Sequence, residues 1–247
     1  MIKPNLPDSN VSKVVVSSLI TQKMLFTLNN MGIQTIKLYG MMNFDIAVRH
    51  HPDMYITHLN NNKIFRIKNT CSFDGGSGIE FCDIDFPYNC ENGEIVKYPF
   101  DVPMNSVSLG DNLICCKKYI HKEIYDYAAS LNFNVINVNQ GYSKCNMCIV
   151  DKNSVITEDI GIFNCLTKNG FDVLLLQKNC VNLEGYKYGF IGGASGKIAP
   201  DKITFMGDIS LHPEYDRIKR FLYKRDIEPI SLSDEPLTDF GSLLPIS

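Results

Sequence analysis

Polar turns set between two apolar runs recur along this chain at nearly constant spacing. They are Asn60-Asn61-Asn62, Gly110-Asp111-Asn112, Asp151-Lys152-Asn153 and Pro200-Asp201, all of the type that closes a β-hairpin. The runs that leave them begin at Ile64, Leu113, Val155 and Ile203, at intervals of 49, 42 and 48 residues. A step of 50 back from Ile64 falls on Val14, inside Val14-Val15-Val16. Periods of this length signal a repeat architecture in which each unit is one supersecondary piece. Five such units fit the 247 residues.

A helix-like segment leads into a β-patterned run in four of the units. Met24–Asn30 precedes Ile33–Leu38, Lys122–Ser130 precedes Phe133–Val138, Ile162–Asn169 precedes Phe171–Leu176, and Glu214–Arg225 precedes Ile227–Leu232. Gly32 and Gly170 stand just before the strand, where a helix commonly ends. The second unit differs: no helical period shows between Ile67 and Tyr98, and Gly75, Gly76, Gly78 and Gly93 indicate loops. The last unit ends at Leu243–Ile246 without an outgoing strand, and Val14–Val16 can supply it and remove a free sheet edge. The expected fold is α/β, a five-unit pseudo-symmetric propeller whose second unit is irregular and lacks a regular helix. It forms one domain over residues 1–247, with residues 1–12 a polar N-terminal extension. A plain alternation of strands and helices is the competing architecture.

Charge narrows the partners. The net charge of −3 is dispersed, without the basic stripe that phosphate contacts demand, so nucleic acid is not an expected partner. No run approaches the roughly 18 apolar residues of a membrane span, and the polar start lacks the apolar core of a signal peptide. Nine cysteines, an odd number, fit reduced thiols in a cytoplasmic protein better than a disulfide framework.

Several strings resemble a known fold. They are His51-Pro52-Asp53-Met54, Tyr98-Pro99-Phe100-Asp101-Val102, Gly141-Tyr142-Ser143-Lys144-Cys145, Gly189-Phe190-Ile191-Gly192-Gly193-Ala194-Ser195-Gly196 and Asp239-Phe240-Gly241-Ser242-Leu243-Leu244-Pro245. With the unit count, they resemble the guanidino-group-modifying-enzyme fold, the penteins, and more narrowly a bacterial family of that fold without an assigned reaction. The resemblance implies a pocket on the axis, and enzymes that act on arginine-like substrates with a C-terminal cysteine nucleophile, a histidine acid/base and carboxylates on the guanidinium. The chain departs from that pattern, because no cysteine follows Cys180 and Ser242 stands about where the nucleophile falls.

Equivalent positions of a ring of repeats meet at its centre. Counting back from the repeated strands nominates Asp53, Asp101, Lys144 and Gly192, with Asp239 at the start of the last strand. Carboxylates grip a guanidinium through paired charge-assisted hydrogen bonds. Asn105, Gly193 and Ser195 complete the expected substrate-binding set. The expected catalytic residues are Cys145, beside the Lys144 cation, with His51 as acid/base and Ser242 at the C-terminal position. His58, seven residues from His51, is expected on the opposite strand face. Turns that merely cap solvated strand ends, and a buried inert thiol, are the bland alternatives.

No metal site or cofactor is expected. Cys145 and Cys148 would point to opposite faces of a regular strand, and no second Cys-x-x-Cys exists. Gly192–Lys197 is not a phosphate loop, since Ile191 and Ile198 occupy the required glycine and hydroxyl positions. Two functions stay open: an amidinohydrolase- or amidinotransferase-like enzyme with a non-standard nucleophile, or a binding or scaffold protein that retains the fold. The ligand in either case is a small cation. A ribosome-associated role is a third, disfavoured by the acidic balance.

Overall fold

In each helix the burial pattern repeats. Helices α1 (Gln22–Asn30), α2 (Lys122–Ser130), α3 (Ile160–Lys168) and α4 (Tyr215–Tyr223) all run nine residues. Each buries two side chains one turn apart: Met24 and Leu28, Ile124 and Ala128, Ile162 and Leu166, Ile218 and Leu222. That i, i+4 spacing lays a narrow apolar stripe against one sheet and leaves the rest wet. Thr21, His121 and Asp159 accept from the first-turn amides of α1, α2 and α3. The chain leaves the four helices through positive-φ backbone at Gly32, Asn132, Gly170 and Asp226. Asn and Asp tolerate this region better than other side chains, so two exits carry no glycine.

The computed structural model describes residues 5–59, 63–70, 79–88 and 94–247. Fifteen strands follow in order among them: β1 (Lys13–Ser17), β2 (Gln34–Leu38), β3 (Ile56–Leu59), β4 (Lys63–Ile67), β5 (Glu80–Ile84), β6 (Val107–Leu109), β7 (Asn112–Cys115) and β8 (Asn134–Asn137). The second half holds β9 (Cys148–Asp151), β10 (Ser154–Thr157), β11 (Asp172–Leu175), β12 (Ser195–Ala199), β13 (Lys202–Phe205), β14 (Glu228–Ser231) and β15 (Leu244–Pro245). They form five three-stranded sheets: β15-β1-β2, β3-β4-β5, β6-β7-β8, β9-β10-β11 and β12-β13-β14. The middle strand of every sheet pairs antiparallel on one side and parallel on the other. A parallel neighbour requires a crossover, and the four helices supply it in four sheets. No helix joins β4 to β5 among the described residues. The sheets remain separate, and none closes on itself.

The hairpin turns at Gly110-Asp111, Lys152-Asn153 and Pro200-Asp201 lie where the sequence places them, each middle strand starting one residue early. The Asn60–Asn62 turn and Gly75, Gly76, Gly78 and Gly93 lie outside the described residues. Val14 and Val15 pair with Pro245 and Leu244, so the two ends of the chain share one sheet. Apolar side chains form four clusters between the helices and sheets. No helix of the described residues is long and apolar enough to cross a membrane.

Candidate functional site

Five turns, one before the first strand of each hairpin or before β15, carry the site. Pro52–Met54 is a 3-10 turn, its φ preset by proline, with His51 at its start. Asp53, Cys145, Gly192 and Gly241 each stand three residues before their strand. His51, Asp53, Lys144, Cys145 and Gly192 therefore sit on turns, whereas Ser195 opens β12, and strand parity governs neither His51 against His58 nor Cys145 against Cys148. Asp239, expected at the head of the last strand, lies instead in the loop beside the Asn182–Thr238 bridge, because β15 is only two residues long.

The turns interlock through a circuit of hydrogen bonds. Asp53 N donates to Gly241 O (3.2 Å), Ser242 N to Gly193 O (2.7 Å), and Gly193 N to Cys145 O (2.8 Å). Asn105 closes the circuit: its Oδ1 accepts from Lys144 N (2.6 Å) and Cys145 N (3.3 Å), and its Nδ2 donates to Asp53 O (3.2 Å). Gly192 is demanded by this crowding, since a Cβ there would lie 2.5 Å from Lys144 O and 2.6 Å from Cys145 O.

Inside the circuit the side chains of His51, Asp53, Lys144, Cys145, Asp239 and Ser242 are buried together. Cys145 Sγ donates to Asp53 Oδ2 at 3.0 Å, and Ser242 Oγ lies 2.7 Å from the same oxygen. Lys144 Nζ donates to Ser242 Oγ (2.8 Å), which also lies 3.0 Å from Gly192 O. Asp239 accepts from Phe190 N (3.0 Å) and Gly241 N (2.9 Å). His51 Nδ1 stands 3.7 Å from Asp239 Oδ1, and neither it nor Asp53 Oδ1 has a hydrogen-bond partner among the described residues. A buried polar atom left unpaired is costly, so a ligand or a proton is stabilised there.

Burial sets the protonation states. Desolvation pushes Asp53 up and lifts Asp239 to about 7, against the pull of backbone N–H groups on the latter. Desolvation also lowers His51 to about 4 and depresses Lys144. The Cys145 thiol is raised well above its ordinary value by burial, then by the Asp53 and Asp239 charges. A cation placed between the carboxylates reverses that electrostatic penalty.

A cavity of about 270 Å³ opens above this cluster, with His51, Cys145 and Asp239 on its wall beside Tyr142 and Phe190. Other nominated residues sit further back. Asp53 and Ser242 contact Cys145 and Asp53 respectively from beneath, and Ser195 hydrogen-bonds Gly192 O at 3.2 Å. Asp101 does not reach the cluster directly: its Oδ2 accepts from Tyr142 OH at 2.6 Å, so it orients a ring on the wall. The sequence reading missed Tyr142, Phe190 and Glu158, although the first two lie in the strings that carried the resemblance. Glu158, buried and lifted by desolvation to about 7, accepts from Ile191 N at 3.0 Å.

Cys145 and Cys148 take different partners, Asp53 and Ser195, so they form no metal pair. Cys145 instead joins His51 and Asp53, whose ligand atoms lie within 4.8 Å of one another. Three donors of this kind fit a metal ion as well as an organic cation. All seven cysteines among the described residues are free.

Known structures share the architecture. An amidinotransferase of the saxitoxin biosynthetic pathway from Microseira wollei superposes with a TM-score of 0.57 at 10% identity, covering 99% of this chain and 96% of that one. The inosamine-phosphate amidinotransferase of Streptomyces griseus gives 0.56 at 8% identity, covering 100% and 97%. The agmatine deiminase of C. jejuni gives 0.51 at 11% identity, covering 94% and 91%. Identities this low establish the pentein fold alone. No curated protein matches by sequence. The model of the family of unknown function DUF6873 matches residues 15–244.

Proposed function

The chain belongs to DUF6873, a family of unknown function, and on that premise we propose that it binds a small guanidino- or amidino-bearing cation and acts on it as a hydrolase or transferase. Its residues 1–247 form one domain in which the five sheets are pseudo-symmetric units of a single ring, a reading supported by the hydrogen-bond circuit through all five pre-strand turns. One observation carries the functional reading: the Cys145 thiol lies on the cavity wall with Asp239 and His51, and donates to Asp53 behind it.

The chemistry follows from the charges. A guanidinium seated against Asp239, with Asp53 behind the thiol, offsets the carboxylate charges that add to burial in holding the thiol protonated. Cys145 then passes its proton to the neutral His51, and its sulfur bonds to the central carbon of the cation. His51 returns the proton to the departing nitrogen as the carbon–nitrogen bond breaks. Water or an acceptor amine releases the amidino group from sulfur. Ser242 and Lys144 position Asp53, and Asn105 with Gly192 and Gly193 holds the turns; Ser195 and Asp101 act one contact away. The seven free thiols among the described residues suit a reducing cytoplasm.

A second reading, a binding protein without turnover, is favoured by one fact: Ser242 occupies the C-terminal position and its hydroxyl is engaged by Lys144, Asp53 and Gly192. Incubating the protein with methylguanidine, agmatine and arginine separates the two. The enzymatic reading expects release of ammonia or amine that Cys145→Ala abolishes while ligand-induced thermal stabilisation survives. Turnover that persists in Cys145→Ala removes this cysteine from the mechanism, and stabilisation without product favours the binding protein.

A further inference from the structure

We infer that the ligand is an amphiphilic cation, a guanidinium or amidinium head on an uncharged alkyl or aryl tail, in preference to an amino acid. The head rests on the reading above; the tail is what the walls of the cavity add.

The polar side of the cavity is formed by His51, Cys145 and Asp239, with Lys187 as a further charged residue on the lining. Its walls are Val48, Tyr142, Leu183, Tyr186, Tyr188 and Phe190. The rings form a connected array, with Tyr142 at 5.2 Å from Tyr98 and 6.3 Å from Phe190, and Tyr188 at 6.0 Å from Phe190. Asp101 takes the Tyr142 hydroxyl at 2.6 Å, which removes that polar group from the cavity and leaves the ring as an apolar wall. Gly141 permits the stacking, because a Cβ there would lie 2.6 Å from the Tyr98 ring. Beyond the wall, Ile46 is 72% exposed and Tyr186 is 54% exposed, on segments that meet where Gly185 faces Ala47.

Among the described residues, these walls offer an amino acid only Asp45, already engaged by the Tyr186 hydroxyl, for its α-ammonium and only Lys187 for its α-carboxylate. A charge buried against them without a partner is disfavoured. Lys187, the one cation on the lining, is exposed, so an ion pair with a ligand carboxylate contributes little, and its charge repels a tail amine. An uncharged tail instead gains from every apolar atom it removes from water, and the ring faces attract the cationic head. At about 270 Å³ the cavity suits a head with one short chain or one ring.

Calorimetric titration of the full chain with methyl-, butyl- and hexylguanidinium, benzamidinium and arginine tests this. We expect the Kd to fall by roughly fourfold per methylene until the tail leaves the cavity, the increment expected for a buried methylene. Arginine binds at least about tenfold more weakly than hexylguanidinium if its charged groups are excluded. Tyr186→Ala, a change at a half-exposed side chain, lowers the methyl-to-hexyl ratio of Kd values. An unchanged ratio in that variant, or arginine binding as tightly as hexylguanidinium, overturns the inference. If methylguanidinium still binds and Asp239→Asn abolishes it, the head site stands and only the tail falls. No binding by any of the five removes both.

Discussion

The proposed cation binding is expected to be proton-linked, with Asp239 as the group that titrates. Burial holds its carboxyl at about 7, so the empty site exchanges a proton for the cation. Methylguanidinium is a suitable probe because the guanidinium stays charged throughout. With a value of about 7, Asp239 is about one-tenth ionised at pH 6 and about nine-tenths ionised at pH 8, so affinity rises about tenfold across that interval. The charged and titratable neighbours are His51, Asp53, Lys144, Cys145 and Glu158. His51, near 4, stays neutral, whereas Glu158, also near 7, is the rival for the same proton. Asp239→Asn separates them: the expected profile for the variant is weak and flat. The same displacement bears on stability. A carboxyl raised from 3.8 to about 7 contributes stability that is complete below about pH 4 and lost as pH rises through 7, up to about 4 kcal/mol. That contribution corresponds to roughly 8–16 °C of melting temperature, read as the difference between the ligand-free protein and Asp239→Asn, because His51 and His58, both lowered to about 4, gain stability as pH rises; saturating methylguanidinium offsets it. Titrations at pH 6, 7 and 8, with melting curves alongside, measure both. A Kd independent of pH refutes the reasoning, and a tenfold rise that survives in Asp239→Asn assigns the proton to Glu158 or to Asp53, whose carboxyl burial also raises.

Three further outcomes are expected from the packing. Asn105→Ala leaves two backbone amides and the Asp53 carbonyl without their buried partner, so denaturant unfolding should show a loss of about 2–5 kcal/mol and weaker cation binding. Gly192→Ala forces a methyl against Lys144 O and Cys145 O, and a loss of about 1–3 kcal/mol together with impaired binding is expected, read by the same assays. Leu166→Ala, in the core under α3 and away from the site, costs about 2–5 kcal/mol in unfolding while the Kd for methylguanidinium stays unchanged.

Much of the fold was legible because it is written in local physics. The segment Lys122–Ser130 coincides with α2, and Ile124 with Ala128 forms the stripe that the helical period requires. Gly32 and Gly170 end their helices with positive φ, but Asn132 and Asp226 perform the same turn where glycine alone was sought. The pairing of Val14 with Pro245 was also expected, from a strand lacking a partner at each end of the chain. At the site, Asp53, Lys144 and Asp239, nominated by the repeat alignment, are buried with Cys145 and His51, nominated as their neighbours in sequence. Asp101 does not, because its carboxylate is taken by Tyr142 in the next unit. Nothing in the spacing distinguished a turn position from a strand end, so the argument from strand faces failed for His51 and for Cys145.

By itself the sequence indicated the four helices, the repeated hairpins and their order, though not β5, since periodicity and turn chemistry act over a few residues at a time. Tertiary structure alone decided which of those residues share a hydrogen bond, which carboxylates lose their water, and which rings wall the cavity. Those properties depend on contacts between residues as distant as Asp53 and Ser242, and on burial, which no local pattern records.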